Sequence, residues 1–490
     1  MRFRVTKAWL WCACLCALGV AAGAKAAEYA QVQSASGAQA QIPDTPAGRR
    51  LGEWLKTFNS GEREAIRAFR EQGFKNPPRR PLGDDLDFRE ETGGFELRRI
   101  LEATPTRISA QLKEKKSEQF AEINVEVEPE EPHQIVAFGL RAVPRPASEP
   151  SLRMPEAEAL AAAAKRAGEL CASGEFSGTV LVARSGRTLL SRACGEADRE
   201  KKIANRLDTK FNLGSMNKMF TATAVLQLVE QGKIRLEDGV GKYLTDYPNR
   251  EVAEKVTIHE LLTHTGGTGD IFGPAYRENR DKLRSPGDYV ALYGTRGPEF
   301  EPGSRFEYSN YGFVLLGAVI EKVSGKSYYE YVREHIFGPA GMKDTDSYLA
   351  SAEVANRAIG YMRMDPGGPL EANTITLPPR GSPAGGGYST AEDLVRFAEA
   401  LTGNKLLSAK STELLTTGKA GPPGRMYAYG FQDEREDGVR MIGHNGGSPG
   451  VNAILHIYPE SGYVVVALAN LDPTAARNMA DFIGARLPAK

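Results

Sequence analysis

Hydrophobic and polar positions repeat with two different periods in the first part of the chain. Apolar residues after Thr45-Pro46 recur every three to four positions, and that dipeptide has the form of an N-cap followed by a proline at the first helical position. A second run with the same helical spacing ends before Pro77-Pro78. Alternation of apolar and polar side chains, the period of half-buried strands, follows at 108–112, 121–127 and 136–140. The pattern predicts a small α+β domain over 42–143, with a charged loop between its two helices and its strands.

Prolines mark the boundary between this domain and the rest of the chain. The segment 144–155 carries four of them, which predicts a stiff, extended linker. A helical pattern at 156–170 opens the second domain, 156–490, and another at 473–487 closes it. Strand-like runs lie near both ends of the domain, at 178–183, 188–193, 427–432, 439–443, 451–457 and 464–469. We therefore expect an antiparallel sheet flanked by helices, with a mostly helical middle as a separate subdomain.

The N-terminus predicts export. Three basic residues precede the apolar stretch 8–22, and small-x-small cleavage patterns end at residues 24 and 26, so 1–26 reads as a secretory signal. We expect a secreted or periplasmic protein with no membrane span after signal cleavage. The 62 basic and 62 acidic side chains balance, which gives no reason to expect a nucleic-acid partner.

Cysteine usage agrees with export but leaves one question open. Cys12, Cys14 and Cys16 leave with the signal, and Cys171 and Cys194 flank one predicted hairpin. An exported protein can join them in a disulfide, and two buried free thiols fit the sequence equally well.

Ser215 and Lys218 form the Ser-x-x-Lys pattern that occurs once in the chain. Residues three apart on a helix share a face, so the amine can lie one turn from the hydroxyl. A serine hydroxyl needs a neighbouring base to become a good nucleophile, and burial makes a lysine easier to deprotonate. A short pattern of this kind also arises by chance, but here it opens a nearly uncharged run that ends at Gly232. A lysine at the start of a core helix is unfavourable without a function.

Two further segments carry candidate chemistry. Tyr308 and Asn310 lie where a loop enters a helix, and a phenol near an ammonium can relay a proton while an amide orients a carbonyl. Tyr247-Pro248-Asn249 has the same spacing, but its proline-broken polar turn favours a structural role. His444-Asn445-Gly446-Gly447 ends one strand-like run, where glycines let a ligand approach the backbone. A glycine-rich hairpin turn with an incidental histidine is the alternative interpretation of that segment.

Together these segments resemble the β-lactamase and penicillin-binding serine hydrolases, in particular the class C β-lactamase-related family, over about 155–490. Supporting phrases are Phe211-Asn212-Leu213-Gly214, Leu261-Leu262-Thr263-His264-Thr265 and Gly385-Gly386-Gly387-Tyr388-Ser389-Thr390. The resemblance implies a β-lactamase/transpeptidase-like fold and an acyl-enzyme on Ser215. It also implies that Lys218 and Tyr308 handle protons, that Asn310 and the strand after His444 position the substrate, and that the amides of Ser215 and Gly447 form the oxyanion hole.

The sequence also departs from family patterns. Neither Ser-Asp-Asn nor Lys-Thr-Gly occurs, and His444 stands where many relatives place lysine. A neutral histidine holds a substrate carboxylate less firmly than an ammonium, which favours an esterase or amidase over a proficient β-lactamase. The first domain resembles the cone-shaped roll of the ketosteroid isomerase and nuclear transport factor superfamily, by its pattern and by the Phe58-Asn59-Ser60-Gly61 turn.

Two competing motifs fail on chemical grounds. Gly446 to Gly450 fits Gly-x-Ser-x-Gly, but Pro449 lacks the N–H that such an elbow uses as an oxyanion donor. His259 and His264 are five residues apart, so on a helix their rings point about 140° apart and do not form a zincin pair.

The sequence thus predicts a serine hydrolase that acts on an ester, amide or peptide without a cofactor or metal. The alternative is a β-lactamase-like protein that binds or senses a ligand without turnover. Substrate identity, the role of the first domain and the oligomeric state stay open at this stage.

Overall fold

The computed structural model describes residues 40–365, 367–422 and 424–490. The predicted signal peptide and its three cysteines lie outside these residues. The described chain forms two compact units, one ending at Pro150 and the other beginning at Ser151.

The first unit packs helices against one face of a four-stranded antiparallel sheet. Its elements are α1 Pro46–Ser60, α2 Arg63–Gly73, α3 Leu82–Thr92, β1 Phe95–Ala103, β2 Arg107–Glu114, β3 Phe120–Val127 and β4 Ile135–Val143. The strands are ordered β1-β2-β3-β4, so each pairs with its neighbour in sequence. Trp54 and Phe58 of α1 pack on Phe95 and on the buried side chains of the sheet.

The predicted start of α1 is confirmed, but two elements of this unit were missed. The Thr45 hydroxyl accepts a hydrogen bond from the Gly48 amide, and Pro46 takes the first helical position. The expected charged loop is wrong, because it contains α3 and β1. Neither element has a strong apolar period: α3 buries few side chains, and β1 is largely exposed beyond Phe95.

The second unit contains most of the chain. Its helices are α4 Glu156–Ala172, α5 Asn217–Glu230, α6 Arg250–Lys255, α7 Ile258–Leu262, α8 Pro274–Asn279, α9 Pro286–Tyr293, α10 Asn310–Ser324, α11 Tyr328–Val332, α12 Gly338–Ala340, α13 Ala391–Thr402, α14 Ala409–Thr416 and α15 Ala475–Gly484. Its main strands are β5 Gly178–Arg184, β6 Arg187–Cys194, β13 Arg425–Tyr427, β14 Gln432–Glu436, β15 Val439–Ser448, β16 Val451–Tyr458 and β17 Tyr463–Ala469. Short strands are β7 Glu196–Asp198, β8 Ile203–Ala204, β9 Phe211–Asn212, β10 Tyr361–Arg363, β11 Leu370–Ala372 and β12 Tyr388–Ser389.

The central sheet joins the two ends of this unit, as the sequence predicted. Its order is β13-β14-β15-β16-β17-β5-β6, and every neighbouring pair is antiparallel. Every residue of β16 and β17 is buried, because helices cover both faces. The helices α4 and α15 pack on one face, and the larger core around α5 and α10 covers the other.

Two strand predictions need correction. The run 427–432 is not one strand, because Ala428 to Phe431 form a turn between β13 and β14, with Gly430 at φ 68°. The glycine is required there, since a Cβ would lie 2.5 Å from the Lys218 carbonyl oxygen. The other correction concerns β15, which does not end before His444 but continues through Gly446 and Gly447 to Ser448. The hairpin-turn interpretation of that segment is therefore wrong.

The structure also settles the cysteine question. Cys171 at the end of α4 and Cys194 at the end of β6 are joined in a disulfide. Among the described residues, none of the helices combines the length and the apolar character needed to cross a bilayer.

Candidate active site

Ser215 lies in the 3₁₀ turn Gly214–Met216, which runs directly into α5. Most residues of this helix are buried, including all of its first turn, so that turn is held firmly in the core. Asn217 fixes the neighbouring loop: its side chain donates to the Ser382 carbonyl at 3.1 Å and accepts from the Gly387 amide at 3.2 Å. Ser215 itself stays partly accessible, as a nucleophile must.

Lys218 is fully buried one turn after the serine. Its Nζ donates to Asn310 Oδ1 at 2.7 Å and to the Ala384 carbonyl at 2.6 Å. Removal from water disfavours the charged amine and lowers the pKa of Lys218 to about 7, although the nearby Asp270 carboxylate opposes this effect. A large fraction of Lys218 is therefore neutral near neutral pH and able to accept a proton.

Tyr308 lies beside both groups. Its hydroxyl shares a hydrogen bond with Ser215, and its ring centroid is 4.7 Å from Lys218 Nζ. Loss of hydration raises the pKa of Tyr308 above its ordinary value, while the hydrogen bond to Ser215 opposes that shift. The phenol thus keeps its proton under conditions in which much of the lysine has lost its own.

Asn310 begins α10 and connects Lys218 to a residue that the sequence did not single out. Asn310 Nδ2 donates to Asp270 Oδ1 at 2.9 Å, and the same carboxylate accepts from the Ile271 amide at 2.7 Å. With its amino group directed at Asp270, the amide must present its oxygen to the lysine. Asp270 carries no sequence signal, since it follows a loop of glycines and threonines with no motif of its own.

The strand β15 borders the serine turn at Gly446 and Gly447. A Cβ on Gly446 would lie 1.9 Å from the Leu213 carbonyl oxygen, and one on Gly214 would lie 2.9 Å from the Gly447 amide nitrogen. Only glycines permit this approach, which brings the Gly447 amide next to the turn that holds Ser215. The first amides of a helix have no acceptor within it, so the Ser215 amide suits an anionic oxygen.

His444 is fully buried in β15, close to the other predicted site residues. Both of its ring nitrogens already have hydrogen-bond partners within the protein. Nε2 is 3.0 Å from the Tyr427 hydroxyl, and Nδ1 is 2.5 Å from the Asn445 carbonyl oxygen. Burial, with a smaller effect of Lys218, lowers the pKa of His444 to about 3. The ring is therefore neutral, and its direct access to a substrate is limited.

Comparison with known proteins agrees with this arrangement. The β-lactamase family model matches residues 161–489. The chain belongs to the β-lactamase family. Putative penicillin-binding protein PbpX of Bacillus subtilis (strain 168) is 34% identical over 298 residues, which are 60% of this chain and 70% of that protein.

Solved structures place the fold in the same family. A penicillin binding protein from Bacillus halodurans is 33% identical, with a TM-score of 0.60 over 65% of this chain and 99% of that one. A D-stereospecific amidohydrolase from Streptomyces sp. is 30% identical, with a TM-score of 0.57 over 65% of this chain and 96% of that one. The domain is a serine hydrolase of the β-lactamase and penicillin-binding type with the β-lactamase/transpeptidase-like fold.

Within this β-lactamase-family domain, His264 packs directly beside the candidate site. Its ring centroid lies 4.2 Å from that of Tyr308 and 4.5 Å from that of Tyr427, and its Nδ1 accepts from the Ser309 amide at 3.1 Å. Burial holds the pKa of His264 well below its usual value, so it packs against Tyr308 as a neutral ring.

The remaining candidates have other partners or other positions in the fold. His259 Nδ1 pairs with the Tyr429 hydroxyl at 2.7 Å, and the hydroxyl of Tyr247 pairs with that of Tyr311 at 3.0 Å. Ser448 stands at the hairpin between β15 and β16, not at a strand-to-helix elbow. Across 40–365, 367–422 and 424–490, no three His, Cys, Asp or Glu side chains are grouped to hold a metal ion.

Proposed function

We propose that this protein is an exported serine hydrolase that transfers the acyl group of an amide, peptide or ester through a covalent acyl-enzyme on Ser215. One observation carries the proposal: the Ser215 hydroxyl is hydrogen-bonded to Tyr308, and a buried lysine with a pKa of about 7 lies against the same phenol. A nucleophile, a base and a proton donor thus meet in one site.

In the first half of the reaction, Ser215 Oγ attacks the carbonyl carbon of the substrate. The neutral Lys218 amine is the base that receives the serine proton, through the hydrogen-bonded Tyr308. A new bond forms between Oγ and the carbonyl carbon, and the carbonyl π electrons move onto oxygen. The amides of Ser215 and Gly447 stabilise that oxyanion, each at a typical value of about 3 kcal/mol.

In the second half, the tetrahedral intermediate collapses. The bond from carbon to the leaving nitrogen or oxygen breaks, and Tyr308 donates a proton to the leaving group because its own raised pKa keeps it protonated. Tyr308 recovers a proton from Lys218. Water then attacks the acyl-enzyme by the same route and releases the acid with free Ser215.

We assign amides and peptides of D-amino acids, with simple esters, as the substrate class ahead of β-lactams. The neutral His444 supports this choice, because it adds no positive charge for a β-lactam carboxylate. Asn310 and the edge of β15 at Gly446 and Gly447 are the assigned substrate-binding groups. The similar amidohydrolase from Streptomyces sp. is D-stereospecific, which favours the same class here.

Export is part of the proposal. The predicted signal at 1–26 would direct it, and the disulfide between Cys171 and Cys194 suits an oxidising compartment, since reducing compartments rarely keep such bonds. N-terminal sequencing of the protein recovered outside the cytoplasm tests this part. A mature chain that still begins at Met1 would contradict it.

Turnover is tested with D-phenylalaninamide, L-phenylalaninamide and p-nitrophenyl acetate on the wild type and on Ser215→Ala. We expect hydrolysis of the ester and of the D-amide, and loss of both in the variant. Ser448→Ala is the matched control, because it removes the serine of the rejected Gly-x-Ser-x-Gly motif and should leave activity unchanged. Covalent labelling of Ser215 by a fluorophosphonate, without turnover of any of these substrates, would instead support the ligand-binding alternative.

A further inference from the structure

A cavity of about 300 Å³ lies inside the first unit, between its helices and β4. Protein cores normally contain few voids larger than one water molecule. A volume of this size is instead at the lower end of the range found for small-molecule sites, about 300–1,000 Å³. Val136 on the cavity lining is 47% exposed, so the space is open to solvent.

Aromatic side chains form much of the wall of this cavity. Trp54 stacks on Phe58 with a centroid distance of 5.1 Å, and it contacts Phe138 at 5.4 Å. Phe74 packs edge-on against Phe138 at 5.6 Å and against Phe69 at 5.8 Å. These rings come from α1, α2, β4 and the segment after α2, so the wall is built by the fold and not by one loop. Aromatic rings of this kind pack well against another flat, apolar ring.

Three charged side chains also line the cavity, and their partners lie within the protein. Asp85 is buried, and its carboxylate accepts from Arg70 at 2.8 Å and from Arg80 Nε at 2.9 Å. Arg70 also donates to the carbonyl oxygens of Pro78 and Arg80, both at 2.6 Å. Arg80 has further interactions besides its bonds to Asp85. A charged ligand would therefore have to break these contacts, or lose its hydration without gaining a counter-ion.

Thr57 supplies a polar group of a different kind. It lines the cavity from α1, three residues after Trp54. Residues at this spacing share a helix face, so the Thr57 side chain lies beside that of Trp54. The side chain is half-buried, and its hydroxyl makes no hydrogen bond to any residue that the structure describes. The hydroxyl is therefore available to donate to, or accept from, a polar atom of a ligand that packs on Trp54.

We propose that this cavity binds an uncharged molecule with one aromatic ring and a short chain that ends in a hydroxyl or amide group. The ring packs against Trp54 and Phe138, and the polar end of the chain bonds to the Thr57 hydroxyl. The aromatic wall selects the ring, the internally paired charges disfavour an ionised ligand, and the threonine selects the polar end. The proposal concerns the first unit alone and does not depend on the chemistry of Ser215.

Trp54 provides a direct probe of binding. The chain has three tryptophans, and the other two lie within 1–26, so the protein without those residues reports on Trp54 alone. The test titrates 3-phenyl-1-propanol, the anion 3-phenylpropionate and the cation 3-phenylpropylamine at pH 7, and follows tryptophan emission with calorimetry in parallel. We expect saturable binding of the alcohol, and binding of both charged analogues that is weaker by about tenfold or more.

A pair of threonine variants tests the polar contact. Thr57→Val should weaken 3-phenyl-1-propanol by about fivefold, the typical effect of one lost hydrogen bond, and should leave propylbenzene unchanged. Thr106→Val is the matched control, because Thr106 is half-buried between β1 and β2 and lies outside the lining, and it should change the affinity for neither compound. Circular dichroism checks that both variants are folded.

Two further variants test where the ligand lies. Thr57→Phe should fill the cavity and weaken the alcohol and propylbenzene alike, whereas Ser215→Ala should bind both as the wild type does, which keeps this result apart from any ligand at the active site. The proposal would be overturned by a charged analogue that binds as tightly as the alcohol, by equal effects of Thr57→Val and Thr106→Val, or by the lack of a saturable change at Trp54.

Discussion

Lys218 Nζ lies 2.7 Å from Asn310 Oδ1, and this contact fixes how the asparagine amide is oriented. The amino group on the other side of that amide donates to Asp270. The Asp270 carboxylate thus orients the Asn310 amide, and the oxygen of that amide positions the Lys218 amine. The amine in turn lies against the ring of Tyr308. This series of hydrogen bonds explains how the buried Lys218 amine can be held in place without a direct ion pair that would keep it charged.

The first prediction concerns the pH dependence of catalysis. Because burial lowers the pKa of Lys218 to about 7, and its neutral form is the proposed base, kcat/KM for a p-nitrophenyl ester should rise with pH through an apparent pKa near 7. In Lys218→Ala, we expect kcat/KM to lose this rise with pH and to fall by at least about 10²-fold. Circular dichroism checks that the variant is folded. A folded variant with an unchanged rate and pH profile would remove Lys218 from the role of base.

A second prediction tests Asp270. Its negative charge opposes the depression of the Lys218 pKa, so Asp270→Asn should move the acid limb of the rate profile to lower pH, by on the order of half a unit. An asparagine oxygen can still accept from Asn310, so the fold should survive. Asp281→Asn, whose side chain is 86% exposed, is the control and should leave the profile in place. A shift to higher pH would contradict the electrostatic account.

A third prediction concerns the close approach of β15 to the serine turn. Gly446→Ala would put a Cβ 1.9 Å from the Leu213 carbonyl oxygen, so the strand must move away from Ser215. We expect the acylation rate to fall by about 10²-fold, the typical effect of losing one oxyanion donor. Gly297→Ala, at an exposed position with no backbone atom close to its added Cβ, should have no effect on burst kinetics.

A fourth prediction links Lys218 to stability. Its pKa is lower in the folded than in the unfolded protein, so unfolding takes up a proton between about pH 7 and 10.5. Stability from this group therefore increases with pH across that window and is smallest below pH 7. The free energy of unfolding of the wild type should rise relative to Lys218→Met by about 1.4 kcal/mol per pH unit there. Denaturant titrations at several pH values measure this, and a pH-independent difference would contradict the buried neutral amine.

The sequence predicted those parts of the molecule that have a strong period or a short-range motif. The buried runs of β16 and β17, the apolar α5 and the cap at Thr45 all follow from local pattern. The elements that were missed carry little apolar signal: Leu86 is the large apolar residue that α3 buries, and β1 exposes most of its side chains. Their existence depends on packing within the unit and not on periodicity.

In the candidate site, too, features with a local sequence pattern were predictable and features that depend on tertiary packing were not. Ser215 and Lys218 share one helical turn, so their proximity could be predicted from spacing. Asp270 and the Ala384 carbonyl reach Lys218 only through the tertiary fold, and a backbone carbonyl leaves no sequence signal at all. His444 was recognised as part of the site, but its enclosure by Tyr427 is a tertiary contact between β13 and β15, which are not neighbours in the sheet.

The most direct test of the central claim is intact-protein mass spectrometry after incubation with a fluorophosphonate and with a penicillin. We expect one adduct on the wild type and on Ser448→Ala, mapped by peptide analysis to Ser215, and none on Ser215→Ala. Adduct formation on a folded Ser215→Ala variant, or a label that maps to another residue, would contradict it.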